Sequence, residues 1–327
     1  MGASKPSSRK NRNNRTRRRL LIAGLAVFLL VDAGLVAFAL TAPKPAASAG
    51  TVAAVPTATL SPVETPEATP APEVEPVEAM ATATVVPTRI LGALDESTAW
   101  RALTGTCPST SANLELTTDS GATWESFNAS TETGASSVLA INVADDSEVS
   151  LVTLDAADCG PQLVTTFVAG NAWKSYPDRV AAEWYVNPAT SNTAHTPAGD
   201  VAAPCVSVAA IAVADSSTAA VLCIDASVFT TQDSGATWSA PSNVPGAAAI
   251  AGTNEGFQVA VANPAGCVGI SLVSVSRDGA LDDTSRPCVD AIVGPGETGL
   301  SVGEDGTLWL WAGDRFARSA DGGATWG

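Results

Sequence analysis

Few side chains in this 327-residue chain have the chemistry for catalysis or specific recognition, and four of them share one interval, residues 174–205. This interval contains both tyrosines, Tyr176 and Tyr185, the single histidine, His195, and Trp184. Aromatic residues make up only 5% of the sequence, so the cluster is unusual. Aromatic rings beside a few polar groups suit the binding of sugars or protein side chains. The interval is therefore predicted to contribute a recognition surface.

A packing role is the alternative for the same cluster, in which Trp184 and Val186 belong to an extra strand that packs on the rest of the domain. A serine–histidine–aspartate triad would require His195, which lies in a predicted loop, and the sequence does not favour it. There is no Cys-x-x-Cys pair, and one histidine is too few for a typical zinc site. No metal and no cofactor are predicted.

The most regular feature of the sequence is an eight-residue phrase that occurs three times, at residues 117–124, 231–238 and 319–326. A hydroxyl, an aspartate and a glycine within five residues favour a tight turn. The carboxylate can accept hydrogen bonds from N–H groups two residues on, and glycine tolerates positive φ. A threonine then returns the chain to a strand, and a tryptophan supplies a large apolar surface. The shared residues, predicted to be structural, are Asp119, Gly121 and Trp124; Asp233, Gly235 and Trp238; and Asp321, Gly323 and Trp326.

The spacing of these copies predicts how many units the domain contains. Trp124 and Trp238 are 114 residues apart, and Trp238 and Trp326 are 88 residues apart, which is twice 44. Two degenerate copies fill the gaps, at residues 165–173 and 276–280. Units of about 45 residues with short strands and polar turns are typical of β-propeller blades. We therefore predict an all-β propeller of about five blades, over residues 89–130, 135–178, 206–243, 246–285 and 288–327.

The repeated phrase resembles the Asp-box, or BNR, repeat of sialidase-like β-propellers. The resemblance implies that each box lies at the periphery of a blade, away from the catalytic face, with a structural aspartate. Enzymes of that family bind a carboxylate with three arginines and use a tyrosine nucleophile with a glutamate and an aspartate. The Arg-Ile-Pro motif of that family does not occur at the start of this domain. The nearest approach is Thr-Arg-Ile-Leu at residues 88–91, which lacks the proline. The catalytic residues of the family are therefore not transferred to this chain.

All six cysteines lie within residues 89–327, and an even number is expected of a domain in an oxidising compartment. Six cysteines allow fifteen pairings in principle. The cysteines follow the phase of the repeat, since each comes shortly before a box or opens a unit. This phase predicts three disulfides, which are Cys107–Cys159, Cys205–Cys223 and Cys267–Cys288.

The N-terminal part predicts a membrane anchor. Residues 1–19 contain eight basic and no acidic residues, and residues 20–40 are apolar or small apart from Asp32. Such a segment is long enough to form a transmembrane helix, and basic flanks stay on the cytoplasmic side. A cleaved secretory signal with a site at residues 37–39 is the alternative. Residues 41–88 are rich in Pro, Ala, Thr, Val and Glu and contain no aromatic residue, so a disordered stalk is predicted.

The remaining part of the chain, residues 89–327, is predicted to be extracellular, as at a bacterial cell surface. It contains 27 of the 33 acidic and 8 of the 17 basic residues, a net charge near −19. This charge disfavours nucleic acids and anionic surfaces as partners. The features together predict a membrane-anchored, extracytoplasmic β-propeller that binds a glycan or a protein without catalysis. The alternative is a glycan-active hydrolase of sialidase-like architecture, for which two carboxylates at the right separation would suffice.

The last box raises a question about ring closure, because only Gly327 follows it. We expect the outer strand of the last blade to come from an N-terminal strand near residues 85–86 or 89–94. A three-stranded last blade, or a chain that is longer than the sequence given, is the alternative.

Overall fold

The computed structural model describes residues 83–284 and 286–327. The predicted basic tail at residues 1–19, the predicted transmembrane helix at residues 20–40 and residues 41–82 of the predicted stalk lie outside these residues. The last part of the predicted stalk, up to residue 88, is ordered instead, because Thr84 and Thr88 form backbone hydrogen bonds to the ring. Within the described ranges, no helix combines the length and the apolar character needed to cross a bilayer.

Antiparallel sheets with up-and-down strand order account for nearly all of the regular structure. The first sheet consists of β1 (Arg89–Ala93), β2 (Ala99–Leu103), β3 (Asn113–Thr117) and β4 (Glu125–Asn128). After a short helix, α1 (Ser130–Thr133), the second sheet consists of β5 (Ala135–Val143), β6 (Val149–Asp155), β7 (Pro161–Thr166) and β8 (Lys174–Ser175). An insert follows, with two 3₁₀ helices (Pro177–Ala182 and Pro188–Thr190) and a hairpin of β9 (Thr193–Thr196) and β10 (Gly199–Ala202).

Three further sheets complete the domain. The third consists of β11 (Val208–Val213), β12 (Ala219–Cys223), β13 (Ser227–Thr231) and β14 (Ser242–Asn243). The fourth consists of β15 (Ala247–Gly252), β16 (Gly256–Ala262), β17 (Gly269–Ser276), β18 (Leu281–Asp282) and β19 (Val289–Asp290), the last two pairing with different parts of β17. The fifth consists of β20 (Thr298–Val302), β21 (Leu308–Ala312) and β22 (Arg315–Ser319).

The first strands of the five sheets surround a central cavity and run in the same direction. β1 and β20 lie side by side, where the N–H of Ala93 donates to Oγ of Ser301 at 3.0 Å and the N–H of Glu304 donates to the carbonyl of Leu94 at 2.8 Å. The second strand β12 is buried along its whole length, because the third sheet packs against neighbours on both faces. The predicted all-β, five-bladed propeller is confirmed.

The turns of each sheet are divided between the two ends of the ring, because neighbouring strands run in opposite directions. One end, which we call the turn face, carries the boxes and the turns between first and second strands (residues 95–97, 145–148, 215–217, 253–255 and 304–306). The other end is the strap face, named after the strap, residues 84–88, which lies across it.

Ring closure differs from the expectation. β1 is the inner strand of the first sheet, with Arg89 opposite Leu103 of β2, so it does not supply the outer strand of the last blade. In the described chain the fifth sheet has three strands, and Gly327 exchanges two backbone hydrogen bonds with Arg318 of β22, at 2.9 and 3.0 Å. The N-terminal strand prediction is therefore wrong, and the ring closes through the packing of β1 against β20.

The tryptophans that end the boxes fill the spaces between sheets. Trp124 of the first sheet packs on Phe316 of the fifth, with ring centroids 5.0 Å apart. Trp173, which ends the degenerate copy in the second sheet, packs edge-on against Trp100 of the first, at 6.2 Å. Trp326 of the fifth sheet belongs to the apolar cluster that it shares with the fourth. Each of these indoles therefore contacts the sheet before its own in the ring, and for the first sheet this neighbour is the fifth.

The third sheet departs from this rule, because the insert lies between it and the second sheet. Gly235, in the box of the third sheet, lies against Val201 and Thr196 of the β9–β10 hairpin, and Val186 joins the apolar cluster around Trp238. On its other side, the insert packs Tyr185 into a cluster of second-sheet residues. The insert therefore packs between two blades. The extra strand that the packing interpretation expected at Trp184 and Val186 is not formed, because only Tyr185 pairs there, in an isolated bridge with His195.

The three predicted disulfides are confirmed, with the pairing Cys107–Cys159, Cys205–Cys223 and Cys267–Cys288. All three lie at the strap face. The first joins the first and second sheets through their turns between second and third strands. Cys205–Cys223 joins the connection before β11 to β12 of the third sheet. Cys267–Cys288 joins the connection between β16 and β17 to the residue before β19, in the fourth sheet.

Candidate functional site

A central cavity with a volume of about 1220 Å³ lies between the five sheets. Its wall is made of the first strands, and each of them contributes small side chains among larger apolar ones. Ala93, Ala140, Ala210, Ala251 and Gly299 are examples from the five sheets. Because these side chains are small, the space between the strands stays open. The cavity is thus the most suitable place in the described chain for a bound molecule.

The strap closes one end of this cavity. The N–H of Thr84 donates to the carbonyl of Ile224 in the third sheet at 2.8 Å, and its hydroxyl donates to the carbonyl of Ala247 in the fourth. The N–H of Thr88 donates to the carbonyl of Gly296, at the entry to the fifth sheet, at 2.9 Å. Val86, between these two anchor points, lines the cavity. The opening on the turn face is therefore the accessible one.

The turn face is built from two kinds of hydrogen-bonded aspartate turn. In the first kind, which occurs between the first and second strands, Oδ1 of Asp95 accepts from the N–H of Ser97, the hydroxyl of Ser97 and the N–H of Thr98, each at 2.8 Å. Asp145 and Asp215 make the same bonds in the second and third sheets. These bonds lower the pKa of all three carboxyls, so they stay ionised and committed to the turns.

The boxes are the second kind. Oδ1 of Asp119 accepts from the hydroxyl of Thr117 and from the N–H of Thr123, both at 2.8 Å, while Oδ2 accepts from the Thr123 hydroxyl at 2.6 Å. The N–H of Gly121, where φ is 86°, donates to Oγ1 of Thr117. Asp119 thus accepts a hydrogen bond from the N–H four residues further along the chain, and not from the N–H two residues along, as expected. The N–H of Gly121 is bonded instead to the hydroxyl of Thr117. The bonds from Thr123 lower the pKa of Asp119 to about 2.

The rim of the cavity on the turn face carries exposed carboxylates that these turns do not use. Glu255 and Glu304 line the opening itself, beside the amides of Asn142 and Asn254. Glu96 and Asp146 project from the neighbouring turns of the first and second sheets and are also exposed. The opening therefore has a polar, acidic rim above a wall of small apolar side chains.

One half-buried carboxyl lies close to this rim. Oε2 of Glu183 accepts a hydrogen bond from Nδ2 of Asn142 at 2.8 Å, and burial raises the pKa of Glu183. Glu183 cannot be singled out from the sequence, because an isolated glutamate in a chain with 33 acidic residues gives no signal. Its position beside the cavity depends on how the insert packs on the second sheet.

The structure brings together three of the four predicted binding residues. The rings of Tyr185 and His195 are stacked with centroids 4.5 Å apart, and Nδ1 of His195 lies 2.6 Å from Oδ1 of Asp200. Trp184, next in the chain, lines the cavity, but only 6% of its surface is exposed. Tyr185 is equally buried, and burial together with the Asp200 carboxylate raises the pKa of its hydroxyl.

Tyr176 lies elsewhere in the insert. Its ring packs against Phe167 with centroids 6.4 Å apart and lies 4.4 Å from the guanidinium carbon of Arg179. A ligand contact by Tyr176, Trp184, Tyr185 or His195 stays a prediction. No group of three or more His, Cys, Asp or Glu side chains suitable for a metal ion occurs among residues 83–284 and 286–327.

No protein-family model and no curated protein matches the chain. Solved structures do match it. One is "YCF48 bound to D1 peptide", at 18% identity over 76% of this chain and 67% of that chain, with a TM-score of 0.28. YCF48 from Cyanidioschyzon merolae matches at 14% identity over 74% of this chain and 85% of that chain, with a TM-score of 0.37.

The GH74 enzyme of Niastella koreensis also matches, at 14% identity over 73% of this chain, with a TM-score of 0.30. The match spans 37% of the length of that enzyme. Similarity at these levels does not extend to function.

Proposed function

We propose that this protein is a membrane-anchored, extracytoplasmic binding module of the Asp-box β-propeller type, and that it holds an extended, cationic polypeptide segment in the turn-face opening of its cavity. The observation that carries this proposal is the wall of the cavity. In the described chain each first strand pairs with only one other strand of its sheet, and residues along each first strand line the open space. Part of the other edge is already bonded, since the N–H of Ala93 donates to Oγ of Ser301 and the N–H of Val138 donates to the carbonyl of Thr104.

An extended polypeptide fits such a wall because its N–H and C=O groups match those of an unpaired strand edge. The small side chains of Ala210, Ala251 and their neighbours leave room for a second backbone to approach. Main-chain hydrogen bonds would supply affinity for any extended segment. Side chains of the segment would then be selected at the rim.

The rim favours positive charge. Glu255 and Glu304 border the opening, and Glu96 and Asp146 stand nearby on exposed turns. The net charge near −19 of residues 89–327 adds a long-range attraction for cations. Lysine or arginine side chains at the end of a bound segment would remain solvated while they approach these carboxylates.

A non-catalytic role is supported by how the carboxylates are used. Asp95, Asp119, Asp145, Asp215 and Asp321 have lowered pKa values because they accept local hydrogen bonds within turns. A general acid requires the opposite shift. These residues therefore serve the architecture of the turn face.

The anchoring part of the proposal rests on the sequence and on where the chain enters the ring. A basic tail, an apolar span at residues 20–40 and a proline-rich stalk precede the domain. The strap is the part of the chain next to that stalk, and it lies on the face opposite the acidic rim. The turn face thus lies at the end of the ring opposite Thr84, the first residue of the strap.

Binding of labelled ten-residue peptides to the full chain in neutral phosphatidylcholine nanodiscs tests the proposal. We expect an alternating Lys/Ala peptide to bind and an alternating Glu/Ala peptide to bind at least tenfold more weakly. The double change Glu255→Gln and Glu304→Gln should lower the affinity for the Lys/Ala peptide about tenfold. A matched control, Glu125→Gln and Asp283→Asn, removes the same charge from exposed sites away from the rim and should have little effect.

Two other results would contradict the proposal. Equal effects of the rim pair and the control pair would mean that only net charge attracts the peptide. Binding on a glycan array that is lost in the rim variant, without peptide binding, would assign the opening to a glycan.

A glycan-active hydrolase is the second candidate, and Glu183 is the observation that favours it. Its raised pKa is what a general acid needs, and it lies beside the cavity through Asn142. A hydrolysis screen on glycans should detect turnover that Glu183→Gln abolishes if this candidate is right. Under the binding proposal, the screen detects none.

A further inference from the structure

The strap face carries an unusual concentration of exposed apolar side chains. Seven of the eleven large apolar side chains that are exposed in the described chain lie at this end of the ring. Three of them are almost fully exposed, Val206 at 87%, Val268 at 76% and Ile292 at 92%. Single exposed apolar residues are ordinary, but a group on one face marks an interaction surface.

Backbone hydrogen bonds link the segments that carry these side chains, and some of these bonds involve the strap. Val206 and Ile224 follow the two cysteines of one disulfide, and the N–H of Ile224 donates to the carbonyl of Ser207. The N–H of Thr84 in the strap donates to the carbonyl of Ile224, and the next strap residue, Val85, lies against Gly296.

The other end of the set lies between the fourth and fifth sheets. The N–H of Ala291 donates to the carbonyl of Val268, which places Ile292 beside Val268. Gly296, which Val85 touches, follows in the same connection. We call Val85, Val206, Ile224, Val268 and Ile292 the apolar cluster.

Disulfides make this surface rigid before any partner arrives. Val206 directly follows Cys205, and Val268 directly follows Cys267, so each side chain projects from a cross-linked connection. An exposed loop that is already ordered loses less conformational entropy on binding. The disulfides therefore serve more than stability, because they hold apolar side chains outward on the strap face.

The charges around the cluster indicate the chemistry of the partner. Asp225 follows Ile224, and Asp290 lies two residues before Ile292; both are exposed. On the adjoining turn of the fifth sheet, Asp314 is exposed and is followed by the exposed Arg315. The connections that carry the cluster (residues 84–88, 203–207, 224–226, 263–268 and 288–297) contain no lysine, arginine or histidine. The surface is therefore apolar with a border in which Asp225, Asp290 and Asp314 outnumber Arg315, and it suits an apolar surface with a basic border.

We propose that the apolar cluster is a docking surface for a protein partner that presents apolar side chains flanked by lysine or arginine. The strap joins this face to the part of the chain that precedes it, so the partner is expected on the side from which the stalk arrives. An anionic lipid surface is disfavoured by the acidic border. This surface is distinct from the cavity opening, and the inference does not depend on the proposed ligand there.

The test uses the full chain in neutral phosphatidylcholine nanodiscs, with two amphipathic helical peptides as probes. Both peptides have the same leucine face, and their polar faces are all lysine or all glutamate. We expect the Leu/Lys peptide to bind at least tenfold more tightly than the Leu/Glu peptide. The double change Val268→Ser and Ile292→Ser should weaken Leu/Lys binding at least tenfold, while Val168→Ser, an exposed valine of the turn face, should leave it unchanged.

A photo-crosslinking residue at position 292 keeps the test independent of any loss of fold in the serine variant. It should cross-link to the Leu/Lys peptide, whereas the same residue at position 168 should not. Equal binding of the two peptides, no effect of the paired serines, or cross-linking from position 292 to lipid in nanodiscs that contain phosphatidylglycerol would overturn the inference.

Discussion

The backbone N–H of Ser120 donates a hydrogen bond to the carbonyl oxygen of Ser97 at 2.9 Å, which joins the first box to the turn between β1 and β2. The equivalent bonds in the second and third sheets are Ala169–Ser147 and Ser234–Ser217, both 3.0 Å. In each of these three sheets, the turn between the first two strands is therefore hydrogen-bonded to the turn between the last two strands. This contact explains why the second sheet keeps the turn although Val168 replaces the aspartate of its box.

The donor residue of this contact adopts a strained backbone conformation, and this leads to a reciprocal prediction. φ is 51° at Ala169, whereas the equivalent position in the last box is a glycine, Gly322, with φ of 69°. A residue with a Cβ atom in this region costs roughly 1–2 kcal/mol. We expect Gly322→Ala to lower the free energy of unfolding by about that amount, measured by urea titration. Ala169→Gly should raise it by less, because glycine loses more entropy on folding.

The two substitutions control for each other, since they exchange the same pair of residues at equivalent positions. Destabilisation by both would show that side-chain contacts, and not backbone strain, decide the effect.

The indoles between sheets allow a second prediction. Trp173 is buried between the first and second sheets and packs on Trp100 and Phe127 through their shared cluster. Trp173→Ala should lower the free energy of unfolding by about 3–5 kcal/mol, because it leaves a cavity between two blades. Trp124→Ala should cost less, since the Trp124 side chain is partly exposed. Equal losses in chemical denaturation would mean that burial between sheets does not determine the contribution of these residues.

Much of the architecture could be predicted from the sequence because it repeats. The boxes, the approximate unit length and the phase of the cysteines each recur, so weak local signals reinforce one another. The pairing Cys205–Cys223, for example, follows from where these residues fall in a unit. Ring closure could not be predicted in the same way, because it depends on how β1 meets β20, more than 200 residues away along the chain.

The candidate site was less predictable for a physical reason. The cavity opening is made of alanines, glycines and exposed glutamates, and none of these residue types is informative by itself. Trp184 is conspicuous in the sequence because tryptophan is rare, yet in the structure it is buried in the insert between the second and third sheets. Residues 84–88 were assigned to the stalk from their composition, but Thr84 and Thr88 form long-range hydrogen bonds that composition does not predict.

The disulfides should contribute unequally to stability. Cys107–Cys159 spans 52 residues and joins two blades, whereas Cys205–Cys223 and Cys267–Cys288 span 18 and 21 residues. In the chain-entropy model, loops of these lengths give about 4 and about 3 kcal/mol. Replacing both cysteines of one pair with alanine should therefore lower the unfolding free energy most for Cys107–Cys159. A larger loss from either shorter loop would indicate that native-state contacts outweigh chain entropy.

The boxes predict how stability changes in acid. Hydrogen bonds from threonine lower the pKa of Asp119 and of Asp321 to about 2, from an ordinary value of 3.8, and they lower that of Asp233. Between about pH 4 and pH 2, the unfolded chain therefore binds protons that the folded box does not. Stability from these groups is complete above the unfolded pKa and is lost as the pH falls through the folded pKa.

The triple variant Asp119→Asn, Asp233→Asn and Asp321→Asn isolates this contribution from the large change in net charge over the same range. Its free energy of unfolding should be lower than that of the wild type at pH 7, and the difference should shrink steadily between pH 4 and pH 2. Unfolding in urea, followed by tryptophan fluorescence at each pH, measures both curves. Parallel curves over this interval would show that the box carboxylates keep ordinary pKa values and that the threonine hydrogen bonds do not favour their ionised form.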